Sequence, residues 1–399
     1  MKIAMVSEHS DPTASVGDVD AGGQNVHVAA LSQALAKKKH QVTVYTRRDD
    51  PHSPDRQWLS PGVVVERIPA GEPRRVPKNE LLPCMAMFGE LLRQRWKDWM
   101  PDIVHSHYWM SALAALTAAD GRFPVVHTYH SLGTVKRRHL GAADTSPIER
   151  IPVEKAIGQS VTQIIATCRS EAEELMSMGI GRNRISIVPC GVDLHRFNPG
   201  GGEAQREHKP RRRVLTAGRL MEYKGFDLLI QALPHLPDIE LVIAGGPPAP
   251  SLIRDAEARR LQKLAERLGV GNRVTFLGQV LRQDMPILMR SADVVACTPW
   301  FEPFGLVPLE AMACGKPVLV TAVGGLADTV EDGVNGTKVP PRDVTSLVHA
   351  LHVLLNDADL RQQLAATGLA RVRAQYGWTR ISDETEKVYR TVTESVNAE

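Results

Sequence analysis

VVACTPWFEPFGLVPLEAMACGKPVLVT, residues 294–321, is the stretch on which the fold turns. Its ends, 294–297 and 318–321, are short β-branched runs apolar on both faces, as parallel strands buried between helix layers are. Thr298-Pro299-Trp300-Phe301 closes the first run, and Glu302-Pro303-Phe304-Gly305 reads as a turn. A helix over 304–313 follows, carried by Leu306, Leu309, Glu310, Ala311 and Met312 and ended by Gly315. Strand, turn, helix and strand again make one α/β unit, and the fold class is α/β.

Working outward, the alternation continues in both directions. In the first half it predicts strands over 3–6, 42–46, 63–68, 103–107, 125–129, 164–167 and 185–189, with helices over 25–38 and 81–99. In the second half it predicts strands over 214–217, 239–244 and 274–277, with helices over 225–232, 256–268 and 344–355. Between the halves lies FNPGGGEAQREHKPRRR, residues 197–213, whose proline, glycines and charges read as a linker. The expected organisation is a first doubly wound domain over 1–197, a linker over 198–212 and a second domain over 213–379. A last helix is expected within 380–399.

Bulk properties agree. A chain of 399 residues exceeds the size at which one core stops growing. A net charge of +3 on 48 basic and 45 acidic residues is too weak a field to argue for nucleic acid. The five cysteines form neither a CxxC pair nor a zinc spacing, which suits a reducing cytoplasm. MKIAMVSEHS turns polar too soon for a signal peptide, and no apolar run is of membrane-spanning length. Partners are therefore expected to be small molecules, with a homodimer left open.

Ligands of open parallel sheets bind beyond the carboxyl ends of the strands, so the residues just after strands carry the chemistry, and with two such sheets the cleft between domains is the expected place. After 294–297, the turn and helix entrance collect unpaired amides and a partial positive charge suited to phosphate. Glu302 and Glu310 then stand on either side, placed to accept hydroxyl hydrogen bonds rather than to touch the anion. Alone, that spacing reads equally as a helix-favouring Glu310 and a solvated Glu302. LTAGRLMEYKGFDLLIQAL, residues 215–233, places Arg219 and Lys224 on a strand-to-helix loop, where they could clamp a diphosphate from the other side. In DVDAGGQNVHVAAL, residues 18–31, Gly22 and Gly23 open a helix, and Asp18-Val19-Asp20 is a poor candidate for metal. In VVHTYHSLGTVKRRHLG, residues 125–141, His130 ends a strand. Fourteen histidines show no HExxH or other ligand spacing, so zinc is not expected.

Taken together, GGQNV, TYHSLG, AGRLMEYKG and EPFGLVPLEAMACGKPV resemble the retaining glycosyltransferases of family 4, which have the GT-B fold of two Rossmann-like domains. The likeness covers nearly the whole chain in order. It implies a nucleotide-diphosphate-sugar donor, a UDP-sugar ahead of a GDP-sugar, with no cofactor and no metal. Arg219 and Lys224 would neutralise the departing diphosphate. Glu302 and the amides of Phe304, Gly305 and Leu306 would hold sugar and phosphate, and Glu310 would grip the ribose. His130 would contact the donor sugar, and Gly22-Gly23 would close on the phosphate. The resemblance also implies that the helix within 380–399 crosses back onto the first domain, with Trp378 packing beside it. PKNELLP (77–83), HSHYWMS (105–111) and HSLGTVK (130–136) look like the subgroup acting on phosphorylated polyols and sugars, the inositol-phosphate glucosaminyltransferases and sucrose-phosphate synthases. By that match Lys78, Tyr108, Ser131, Lys136 and Arg150 would bind an acceptor phosphate. GGQ lies nearer the sucrose type and HYWMS nearer the inositol type, so the acceptor stays open. Competing readings are an epimerase or phosphorylase of the same fold and a non-catalytic nucleotide-sugar binder. A dinucleotide-dependent dehydrogenase is disfavoured because no GxGxxG follows a predicted strand.

Overall fold

The computed structural model describes residues 1–14, 22–206 and 211–398; Asp18-Val19-Asp20 lies outside them. The chain divides into two compact units, Met1–Gly191 with Trp378–Glu399, and Val192–Gly377. Each is a doubly wound α/β unit with its own sheet.

In the first unit the strands are β1 (Lys2–Val6), β2 (Gln41–Arg47), β3 (Arg56–Ser60), β4 (Val63–Ile68), β5 (Ile103–His107), β6 (Val125–Thr128), β7 (Gln163–Ala166) and β8 (Ile185–Ile187). Their order is β3-β4-β2-β1-β5-β6-β7-β8, parallel apart from the antiparallel β3–β4 pair. Successive side chains of a strand point to opposite faces, and both faces are covered here. Ile3 and Met5 of β1 enter a core with Val28, Leu31, Ile381 and Tyr389, so the helices Gly23–Lys37 and Trp378–Ala398 lie on that side. Ala4 and Val6 enter another core with Phe88, Leu92, Trp96 and Ala112, supplied by the helices Met85–Asp98 and Trp109–Ala119.

In the second unit β9 (Arg212–Ala217), β10 (Ile239–Ala244), β11 (Val274–Gly278), β12 (Val294–Cys297), β13 (Val318–Thr321) and β14 (Thr337–Val339) form a parallel sheet ordered β11-β10-β9-β12-β13-β14. The two faces again alternate by residue: Val294 and Ala296 join one core, Val295 the other. Counted within the unit the order is 3-2-1-4-5-6, which reverses between β9 and β12. A crevice opens at such a reversal beyond the carboxyl ends of the strands. In the first unit the reversal falls between β1 and β5.

Four details differ from the sequence-based expectation. The helix expected over 304–313 begins at Leu306, because Gly305 sits at φ +74° in the left-handed region and cannot be helical. The helix expected over 81–99 starts at Met85, preceded by short turns at Lys78–Glu80 and Leu82–Cys84 around Pro83. The segment expected as a linker is docked on the second unit through residue 206, and the units divide before it, at Gly191/Val192. Phe197 is fully buried there, and Arg290 donates to the carbonyls of Asn198 (3.2 Å) and Gly202 (2.8 Å). The edge strand β3, with Trp58 69% exposed, was not expected: one solvated face and one unpaired edge leave little apolar pattern to read.

Candidate active site

In the second unit the loops leaving β9 and β12 meet at the reversal. After β9, the chain makes a short turn at Glu222–Lys224 and enters the helix Phe226–Ala232 through Gly225 at φ +69°. A Cβ on Gly225 would stand 2.0 Å from the Thr298 carbonyl oxygen, so only glycine lets this loop lie against the end of β12. The Thr298 hydroxyl donates to the Gly225 carbonyl at 2.8 Å, and the Trp300 amide donates to the Tyr223 carbonyl at 2.8 Å. Tyr223 and Phe301 stack, with ring centroids 4.8 Å apart.

This packing brings Lys224 onto Glu302: their side chains form a part-buried ion pair. Burial alone would lower the Lys224 pKa, but Glu302 outweighs it and holds the ammonium above its ordinary value. Lys224 is therefore a fixed cation at neutral pH. Arg219 is exposed and reaches the Tyr223 hydroxyl at 3.4 Å. The Phe304 amide leans toward Glu302 Oε1 at 3.5 Å. The helix Leu306–Ala313 opens at Gly305 with no side chain capping it, which leaves its first amides to a ligand or water. Arg219, Lys224, Glu302 and the amides of Phe304, Gly305 and Leu306 thus lie on the two facing loops. Glu310, one turn into the helix, is 4% exposed and pairs instead with Arg282 at 2.7 Å. Burial pushes its pKa up, and Arg282 works against that shift.

Arg282, Tyr223 and Phe301 were not singled out from sequence. Arg282 follows β11 by four residues, so the rule of reading past strand ends reaches it once β11 is placed. The two aromatic residues carry no motif of their own.

In the first unit the reversal gathers polar groups from β1, β5 and β6. The Glu8 amide donates to Ser111 Oγ at 2.9 Å, and Ser111 Oγ donates in turn to the buried Glu8 carboxylate. Gln24 donates to Ser7 Oγ (3.2 Å) and to the His107 carbonyl (3.3 Å). Gly22 is extended, and Asn25 Oδ1 accepts its amide at 3.1 Å, while Gly23 is the first helical residue. A Cβ on Gly22 would meet nothing within 4 Å. Tyr108 and His130 follow β5 and β6 at φ +80° and +62°, backbone conformations that cost non-glycine residues about 1–3 kcal/mol. Such strain collects at functional positions.

His130 lies inside a cluster of histidines. Its Nε2 is 3.0 Å from His107 Nδ1, and its ring is 5.3 Å from that of His27. His105 joins Thr128 (2.9 Å) and the Tyr389 hydroxyl (2.6 Å). Burial and then mutual repulsion hold His105, His107 and His130 well below the ordinary histidine pKa; burial lowers His27 to about 4 and His127 to about 3. His130 is therefore a neutral imidazole at pH 7. Among the described residues no group of three or more His, Cys, Asp or Glu is placed to hold a metal ion.

The five residues expected to hold an acceptor phosphate form one network. Arg150 and Lys78 place their charges 5.3 and 5.9 Å from the Tyr108 ring centre. Arg150 is 2% exposed; it donates to Glu154 (2.6 Å), Ser131 Oγ (3.0 Å) and the Ser131 carbonyl (2.7 Å). Ser146 Oγ accepts from both Arg150 (3.2 Å) and Lys136 (2.8 Å). Lys136 also pairs with Asp144 at 2.9 Å; burial would raise the Asp144 pKa, but Lys136, Arg137 and Ser146 hold it well below the usual carboxylate range. Arg150 is thus largely committed to internal partners, while Lys136 is only part-buried.

A family model described as glycosyl transferases group 1 matches residues 203–371, and one described as glycosyltransferase family 4 matches residues 21–196. The chain is 37% identical to a D-inositol 3-phosphate glycosyltransferase of Xylanimonas cellulosilytica, over 98% of this chain and 97% of that one. Its fold matches the sucrose-phosphate synthase of Thermosynechococcus elongatus with a TM-score of 0.90 at 32% identity, over 99% of both chains. It also matches the Anabaena protein HepE, solved with UDP and glucose, with a TM-score of 0.75 at 20% identity, over 97% of this chain and 99% of that one. Among the described residues no helix is long and apolar enough to cross a membrane. Sequence and fold together place the chain in the group 1/family 4 glycosyltransferases, enzymes of the GT-B fold.

Proposed function

We propose that the protein moves a hexosyl group from a nucleotide-diphosphate sugar, a UDP-sugar ahead of a GDP-sugar, to a hydroxyl of a small phosphorylated sugar or polyol. Transfer proceeds with retention and without a metal. The observation that carries this reading is the Lys224–Glu302 pair, held beside the uncapped entrance of the helix Leu306–Ala313 at the reversal of the second sheet. A diphosphate placed there meets a fixed ammonium, the Arg219 guanidinium and the amides at the entrance of that helix, while Glu302 faces the sugar hydroxyls.

The chemistry follows from charge. As the bond from the anomeric carbon to the diphosphate oxygen breaks, negative charge gathers on the diphosphate and positive charge on the ring. Donors already aimed at the leaving group stabilise that state, each by about a hundred- to a thousandfold in rate. Arg219 and Lys224 supply the countercharge that a divalent cation supplies in other enzymes. The acceptor hydroxyl attacks the same face and gives its proton to the departing phosphate oxygen. His130, neutral, offers hydrogen bonds to the sugar without adding charge. On the acceptor side, Lys78, Tyr108, Ser131, Lys136 and Arg150 receive the phosphate, a reading supported by the D-inositol 3-phosphate and sucrose-phosphate enzymes among the relatives.

The test is nucleoside diphosphate release from UDP-glucose, UDP-N-acetylglucosamine and GDP-mannose, with inositol and sugar phosphates offered beside their dephosphorylated forms. Release is expected to require a phosphorylated acceptor, and the product's anomeric configuration should match the donor's. Donor hydrolysis at the same rate with every acceptor, or an inverted product, refutes the reading.

A further inference from the structure

Glu310 is a buried carboxylate whose acceptor capacity is not spent. It is 4% exposed, and its charged neighbours are Arg282 and, more remotely, Arg196 and Asp193, with the Cys297 and Cys314 thiols nearby. Arg282 Nη1 stands 2.7 Å from Oε1, and among the described residues no other donor reaches that oxygen. The contact is therefore a close charge pairing that leaves lone pairs for another donor. A buried carboxylate in that condition is costly unless a ligand completes it.

Arg282 is itself held. Its guanidinium carbon lies 5.1 Å from the centre of the Phe197 ring, and Phe197 is fully buried. A planar guanidinium on an aromatic face is fixed in direction as a lysine ammonium is not. The sequence between β11 and the helix Met285–Arg290 thus delivers a rigid cation to one side of the Glu310 carboxylate.

We propose that Arg282 is a positioning residue for the donor: braced on Phe197, it fixes the Glu310 carboxylate with its free lone pairs turned to the ribose hydroxyls of the nucleotide. This rests on the reading of Glu310 as the ribose acceptor. Arg282 touches neither sugar nor phosphate. Its effect is to decide whether the enzyme distinguishes a ribonucleotide from a deoxyribonucleotide.

The experiment measures the affinity of the full-length protein for UDP, ADP and GDP, each beside its 2′-deoxy counterpart, by titration calorimetry between pH 6.5 and 9. Wild type is expected to favour the ribo form of its preferred nucleotide by roughly ten- to a hundredfold, the worth of a hydrogen bond to a charged group. Arg282→Gln should cut that preference to within about threefold at pH 6.5 by weakening the ribo form alone, deoxy affinity staying within about twofold. Without its cation the carboxyl protonates more readily, so the preference should recover as pH rises. Arg282→Lys, which keeps the charge and guards against a folding defect in the first variant, should fall between. A merely structural role would weaken ribo and deoxy forms together and show no pH recovery; that result overturns the proposal. Preference lost in Glu310→Gln but intact in both Arg282 variants sinks the role of Arg282 alone. Wild type without any ribo preference ends the Glu310 reading as well.

Discussion

Replacing Lys224 by methionine keeps most of the side-chain length and removes the charge. Two effects follow from the structure. The first is on stability: Glu302 loses its partner in a site where the two side chains are 17% and 21% exposed. A carboxylate left unpaired in a half-buried position costs about 1–3 kcal/mol, short of the 3–5 kcal/mol for full burial. At about 0.7 kcal/mol of enthalpy per residue the protein loses only a few degrees of melting temperature. The second is on turnover: one preorganised donor is withdrawn from the leaving diphosphate, a loss of about 2.7–4 kcal/mol, or a hundred- to a thousandfold in kcat. On the proposed reading Lys224 acts on charge that develops during bond breaking, so KM for the donor should change far less than kcat. The assay is the initial rate of nucleoside diphosphate release at saturating donor and acceptor, with folding followed by circular dichroism. A folded K224M protein within threefold of the wild-type kcat would refute the reasoning, as would a loss confined to KM.

Four further outcomes are expected. Gly225→Ala would drive a Cβ against the Thr298 carbonyl at 2.0 Å from a positive-φ residue, so it should cost about 2–4 kcal/mol in thermal unfolding and most of the activity; an unchanged melting point contradicts the packing. Lys136→Met should weaken a phosphorylated acceptor by about ten- to a hundredfold in kcat/KM while sparing its dephosphorylated form; equal losses would move the phosphate elsewhere. The buried histidines bind protons more weakly folded than unfolded, so each should remove up to about 1.4 kcal/mol of stability per pH unit below pH 6.5, the His27 contribution continuing to about pH 4. Histidine-selective NMR should show the imidazoles of the cluster neutral at pH 6, and a normal titration near pH 6.5 would contradict their burial. Chelating divalent ions should leave transfer unchanged, because the proposed reading gives the countercharge to Arg219 and Lys224; a tenfold drop in rate rejects that assignment.

The fold was legible because both faces of its strands are buried, which leaves runs such as 239–244 and 318–321 almost wholly apolar. The loop positions of Arg219, Lys224 and Glu302 were legible for a related reason: they follow the ends of β9 and β12 by two, seven and five residues, where glycines betray tight turns. What escaped depended on register and packing. Five histidines scattered from 27 to 130 become one cluster only because parallel pairing sets His107 opposite Thr128 and Ser106 opposite His127. The Lys224–Glu302 contact joins residues 78 apart and requires β9 beside β12, an adjacency that no local pattern specifies. Arg150 was named only through the resemblance, as a phosphate ligand; that Glu154, one helical turn on, and the Ser131 carbonyl draw it into the interior shows only in the fold.

The central claim is that the loops after β9 and β12 form a trap for a departing pyrophosphate. Calorimetric titration of UDP, GDP and ADP against the corresponding nucleosides, in wild type and in the double variant Arg219→Met/Lys224→Met, tests it most directly. The diphosphate of the preferred base should bind at least about a hundredfold tighter than its nucleoside in wild type, and most of that advantage should vanish in the variant while nucleoside affinity stays constant. An advantage that survives the loss of both cations would contradict the claim.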